Sequence, residues 1–191
     1  MKAYTFEDPN LVFFTSDTHF NHFNICKYCH RPFTSRSEMN EALIDNWNSK
    51  VPENGIVIHC GDFMLAKDTK EYFPFLKKLN GNIILVRGNH DVIDLGLYND
   101  YHLAVHDKVI IFCDGVTIEA NHEPLMAYPA NYNVFGHSHT LADGTCYGLD
   151  GDVNSKLCPT QYDVGVDQNN YTPLSWWDLA DIFRNRAYLD H

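Results

Sequence analysis

Residues 11–19 read Leu11-Val12-Phe13-Phe14-Thr15-Ser16-Asp17-Thr18-His19. A short apolar run that breaks abruptly into Ser, Asp and His reads as a buried strand delivering polar side chains at its carboxyl end. The pattern returns twice. Gly55 to Cys60 runs into Gly61-Asp62, and Asn82 to Arg87 runs into Gly88-Asn89-His90-Asp91. Helical periodicity fills the gaps between these strands. Met39, Leu43 and Trp47 recur at i, i+4 and i+8 within Glu38 to Lys50, behind Ser35 or Ser37 as an N-cap. Asp68 to Leu79 sets Tyr72, Phe73, Leu76 and Leu79 on one face ahead of Gly81, with Pro74 disturbing the first turns. The order predicted is strand, helix, strand, helix, strand.

Beyond residue 100 the pattern turns β-rich. Val109 to Cys113 and Val116 to Ala120 flank Asp114-Gly115, a dipeptide that favours a two-residue hairpin turn. Asn133 to Phe135 and Asp163 to Val166 read as further strands, and Trp176 to Ala187 as a terminal helix capped by Ser175. No linker or repeat divides residues 1–191, so a single domain is expected, built as a layered α/β sandwich with mixed sheets.

Composition narrows the function. The 191 residues are 45% hydrophobic and 20% charged, which is globular rather than disordered. Fourteen Lys and Arg against 25 Asp and Glu leave a net charge of −11, which opposes attraction to long nucleic acid or an anionic membrane. No protein partner is predicted. Met1 to Asn10 lacks the apolar segment of a signal peptide, so the chain is expected in the cytoplasm with its six cysteines as thiols, Cys60 and Cys113 in the core. Cys26-Lys27-Tyr28-Cys29-His30 has the form of a c-type haem attachment string, but a short helix ahead of Arg31-Pro32 and the missing export signal oppose that reading.

Nearly every predicted strand ends in Asp, Asn or His, at the position where α/β folds build their sites. The motifs run Asp17-Thr18-His19, Gly61-Asp62, Gly88-Asn89-His90-Asp91, Asn121-His122 and Gly136-His137-Ser138-His139. In Asp17-Thr18-His19 the spacing by two would point both side chains to one side of an extended segment. Imidazole and carboxylate donors suit first-row cations better than an all-oxygen Mg or Ca cage.

In this order the motifs resemble the signature of the calcineurin-like metallophosphoesterase superfamily, over Asp17 to His139. Ser16 to His22, Asn24-Ile25 and Arg31-Pro32-Phe33 are further similar to a small bacterial or phage branch of that family. The resemblance implies an α/β/β/α sandwich with two mixed β-sheets. It implies one metal among Asp17, His19, Asp62 and His139, and a second among Asp62, Asn89, His122 and His137, with Asp62 as the bridge. The metals would be two divalent ions, Mn foremost, with Fe, Zn, Ni or Co as alternatives. A pair held about 3.5–4 Å apart can activate a shared water for attack at phosphorus. His90 would serve the leaving group or the phosphoryl oxygens, and Asp91 would orient it.

The chain departs from the family pattern at Leu65, where Asp or Asn is usual, and at Asn121, where Gly is frequent. His22, Arg31 and Arg36 stand as substrate contacts in the first loop, while His59 reads as a buried structural residue. Phe20 to Phe33, Val92 to His106 and Ala142 to Thr160 are the rim segments. The function implied is hydrolysis of a small phosphodiester, phosphomonoester or nucleotide. The alternative is a catalytically silent scaffold on the same fold.

Overall fold

The computed structural model describes residues 1–139 and 159–189 of the chain. Its strands are β1 Lys2–Phe6, β2 Val12–Thr15, β3 Ile56–His59, β4 Asn82–Val86, β5 Gly96–Tyr98, β6 Leu103–His106, β7 Val109–Cys113, β8 Val116–Ala120, β9 Tyr132–Phe135, β10 Gln161–Asp163 and β11 Leu174–Ser175. Its α-helices are α1 Ile25–Tyr28, α2 Arg36–Lys50, α3 Phe73–Leu76 and α4 Trp176–Leu189. One sheet has the order β11-β2-β3-β4-β6-β5 and the other β1-β7-β8-β9-β10. Both mix parallel and antiparallel pairs, so the chain is an α/β sandwich with two mixed sheets.

The central strands β2, β3 and β4 run parallel, in register Phe13↔Val57 and Val57↔Ile83. Their side chains alternate between two cores. Phe13, Val57, Ile83 and Leu85 pack with Met39, Leu43 and Trp47 of α2. Val12, Phe14, Ile58, Ile84 and Val86 pack against Ile111, Ile118, Ala120 and Val134 of the second sheet. Burial on both faces is why these strands are unbroken apolar runs. Ser35 caps α2 by accepting from the Glu38 N–H, and the Glu38 carboxylate accepts in turn from the Thr34 N–H at 2.7 Å. Trp176, Leu179 and Phe183 of α4 join the core between the sheets.

Two expected elements differ. Residues 68–79 do not form one helix: a 3₁₀ turn at Thr69–Glu71 precedes the four-residue α3. Pro74 has no N–H to donate to Lys70, so an α-helix cannot continue through this point. The strand predicted at Asp163 to Val166 lies at Gln161–Asp163 instead. The chain then leaves the second sheet, and Val164 to Val166 crosses to β2, where the Val166 N–H donates to Ser16 O at 3.1 Å. Short β1, β5, β6 and β11 were not marked by the sequence patterns. Val92 to His106 builds β5 and β6 at one sheet edge and supplies no residue to the cleft described below. Of the third predicted rim segment, 142–160, all but the last two residues lie outside the described residues. Among the described residues no helix is long and apolar enough to cross a membrane.

Leu43 is 2% exposed in the helix-side core. Leu43→Ala should therefore cost about 2–5 kcal/mol, read as a lower urea midpoint.

Candidate metal centre

The carboxyl ends of β2, β3, β4, β8 and β9 meet at one cleft of about 340 Å³, whose walls include His19, Asp62, Asn89, His90, His137 and His139. The turns that deliver these side chains are left-handed. Asp17, His19, Asp62, His137 and His139 all have φ between 46° and 67°. Such angles are unfavourable for residues other than Gly, and their concentration at one site marks strain held by surrounding structure. Asp17 and His19 thus converge by a twisted turn after β2 ends at Thr15, not by alternation along an extended strand. Backbone bonds hold that turn against the next one. Asp17 N–H donates to Gly61 O and His19 N–H to Asp62 O, both at 3.0 Å.

Two donor groups form around Asp62. Asp17, His19 and His139 present ligand atoms within 4.8 Å of one another, and so do Asp62, His122 and His137. Asp62 Oδ2 lies 3.5 Å from His19 Nε2, and Asp62 Oδ1 lies 3.6 Å from His122 Nε2. Its two oxygens therefore face different groups. In the first, His19 Nε2 and His139 Nε2 are 3.2 Å apart. In the second, Asn89 Oδ1 is 2.9 Å from His122 Nε2 and 3.1 Å from His137 Nδ1. All seven residues assigned to metals by the resemblance stand here, including Asn89.

Supporting contacts decide which nitrogens face inward. His122 Nδ1 pairs with the Cys60 carbonyl at 2.8 Å, which turns the lone pair of Nε2 toward Asn89 and His137. His139 Nδ1 pairs with Asp167 Oδ2 at 2.9 Å, which turns Nε2 toward His19 and Asp17. The His137 N–H donates to both oxygens of Asp17, at 3.1 and 3.0 Å. Facing lone pairs at such separations are repulsive unless a proton or a cation sits between them. The donor set of imidazoles, carboxylates and one amide oxygen fits divalent first-row cations.

Burial raises the stakes. It pushes the Asp17 carboxyl up to about 7, although His139 and His122 pull the other way. Burial, with His139 next, drives His19 well below the usual imidazole range. In His139 burial is outweighed by Asp17 and Asp167, which hold its charged form well above that range. Protons and cations compete for the same atoms in such a cleft.

Three expectations are corrected by the contacts. Asp91 does not orient the His90 imidazole. Its carboxylate accepts from the N–H groups of Asp62, Phe63 and Gly88 at 2.9–3.0 Å and from the Tyr72 hydroxyl at 3.0 Å, tying the two turns together. Arg31 does not face substrate. It is 4% exposed, grips both oxygens of Asp167 at 2.7 and 3.0 Å, and donates to the carbonyls of Asp17 and Thr18. Arg36 is exposed in the first turn of α2 and is absent from the residues that line the cleft. His22 does line it, with Nδ1 3.4 Å from His19 Nδ1. His90 donates its N–H to Asp62 Oδ1 at 2.9 Å, and its half-exposed ring holds Nε2 4.0 Å from Asp62 Oδ2.

His59 is fully buried. The Thr18 hydroxyl donates to Phe63 O, so its oxygen accepts from His59 Nε2, while the Gly61 N–H donates to Nδ1. That is a neutral ring with a fixed tautomer, and burial accordingly pushes its pKa down to about 3. Cys26 and Cys29 are buried thiols, Cys29 at the cleft wall and Cys26 with Sγ 3.5 Å from Met39 Sδ. Gly88 and Gly136 are required by close approach. A Cβ on Gly88 would collide with Asp62 Oδ1 and N, and one on Gly136 with Ser16 Oγ and Asp17 Oδ2. Sequence reasoning missed Asp167. It lies 28 residues beyond His139, and no local motif marks it.

The sequence profile of the calcineurin-like phosphoesterase superfamily domain matches residues 11–151, well over half of the chain. An uncharacterized protein of Methanocaldococcus jannaschii is 39% identical over 169 residues, covering 86% of each chain. The crystal structure of a protein of unknown function from Aquifex aeolicus superposes with a TM-score of 0.65 at 23% identity, over 90% of this chain and 98% of that one. That last likeness concerns the fold alone. With the ordered motifs and the profile in agreement, the chain belongs to the calcineurin-like phosphoesterase superfamily, a family of metal-dependent phosphoester hydrolases.

Proposed function

We propose that the protein hydrolyses a small phosphomonoester or phosphodiester with two divalent cations, Mn foremost. Asp17, His19 and His139 would hold one, Asn89, His122 and His137 the other, and Asp62 both. The observation that carries this reading is the convergence of inward lone pairs on the two sides of one carboxylate, within 3.6 Å of its oxygens. Bound divalent cations acidify water and neutralise phosphoryl charge.

The remaining work falls to this chain's own side chains. The His90 ring stands at the cleft with its backbone anchored to Asp62, so its proton can pass to the oxygen of the departing group. Asp91 and Tyr72 keep the Asp62 turn in place and are not among the residues that line the cleft. Ile25 and Tyr28 of α1 line the cleft beside His22, and Tyr28 is 58% exposed. This wall is suited to the organic part of the ester. A small phosphoester or nucleotide is the size that a cleft of about 340 Å³ accepts. The net charge of −11 weighs against long nucleic acid.

Chelated protein reloaded with Mn, Fe, Co, Ni, Zn or Mg should turn over bis-p-nitrophenyl phosphate or p-nitrophenyl phosphate with a first-row metal. Asp62→Asn should lose both bound metal and activity. His90→Asn should keep its metal and lose roughly 10²- to 10⁴-fold in kcat. A wild type that retains no metal and is as inert as both variants would overturn the reading. Tyr28→Ala should raise KM for an aryl ester by roughly tenfold, the value of one aromatic contact, with kcat little changed.

A further inference from the structure

The two donor groups are unequally equipped. The Asp17 group carries its own carboxylate, and behind His139 stands a second one, Asp167, 2.9 Å from Nδ1. The opposite group offers the neutral Asn89 amide, and behind His122 stands only the Cys60 carbonyl. A carboxylate behind a ligating imidazole both fixes the ring and strengthens its lone pair, more than a carbonyl does.

Asp167 can serve this way only because Arg31 holds it. The guanidinium fork takes both Asp167 oxygens through Nε and one terminal nitrogen. The same group reaches the carbonyls of Asp17 and Thr18 at 2.7 and 3.0 Å, inside the left-handed turn that aims Asp17 and His19. One buried side chain thereby supports all three members of the Asp17 group. The Asn89 group is braced through its backbone, where Asp91 accepts from the Gly88 N–H, but His122 pairs with a carbonyl where His139 pairs with a carboxylate. Cys29, His139 and Asp167 also gather within 4.8 Å, but this cluster shares two members with the network and faces the Arg31 charge, so it is not a separate cation site.

We propose that Arg31 and Asp167 are positioning residues that make the Asp17–His19–His139 position the tighter of the two, filled before the Asn89–His122–His137 position. The proposal rests on the dinuclear reading above, and the test separates the two.

Zn²⁺ is titrated into the metal-free wild-type chain while the histidine ring signals are followed by NMR. At one equivalent, the His19 and His139 signals should move, and those of His122 and His137 only at the second. Simultaneous movement, or the reverse order, would overturn the proposal and leave the dinuclear centre standing. No movement at any ratio would overturn both. In Asp167→Asn the first binding event should weaken about 10- to 100-fold by calorimetry, with the second within about threefold of wild type. Arg31→Lys should fail to restore the order, because an ammonium cannot span the four acceptors. Equal weakening of both events would mark a purely structural role and overturn the assignment.

Discussion

Everything at the cleft depends on where the Asp62 carboxylate is held. It sits at a left-handed turn after β3, where its N–H is fixed by Asp91 and one oxygen by the His90 N–H. The two oxygens then face His19 and His122, which come from different sheets. If that side chain were to rotate, the two groups of donors would no longer share a member. The surrounding structure is therefore organised to prevent rotation. Gly88 leaves room for nothing larger than hydrogen against Asp62, and the Tyr72 hydroxyl anchors Asp91 from the helix-side core.

This arrangement is costly on its own. Five ligand candidates hold left-handed backbone angles, and ring nitrogens of different histidines stand only 3.2 Å apart. The folded chain sustains them because the scaffold is strong elsewhere. The central parallel strands are covered on both faces, and the backbone ladder continues past the strand ends through Asp17, His19 and Phe20. Strain at functional positions and low-energy regularity in the supporting elements form one design.

Much of this was legible in the sequence, for physical reasons that can be named. Strands buried on both faces leave unbroken apolar runs, so β2, β3 and β4 stood out within a residue or two of their ends. The Asp114-Gly115 turn was readable because only a few residue types accept its angles, and the structure has φ of 49° and 73° there. The polar clusters were readable because they interrupt those runs. What failed was of another kind. The edge strands β5 and β11 have only three and two residues, too few to show a period, and β1 has no fully buried residue to form an apolar run. Apolar spacing over residues 68–79 suggests one helix because it ignores the missing N–H of Pro74. Arg31 and Asp91 turn away from the cleft to buried partners, and sequence proximity to a site says nothing about which way a side chain turns. Asp167 carried no local signal, because its importance comes from a contact with a residue 136 positions earlier.

The crossover at Val164 to Val166 also bears on the order of folding. It brings Asp167 to Arg31 across 136 residues of sequence, closing a long loop around the parallel strands. Contacts of such large sequence separation form late, since their loop entropy must be met before they return any stability. The parallel strands close over shorter loops than the cleft does. Cation capture by a partly folded chain is thereby disfavoured until that contact closes.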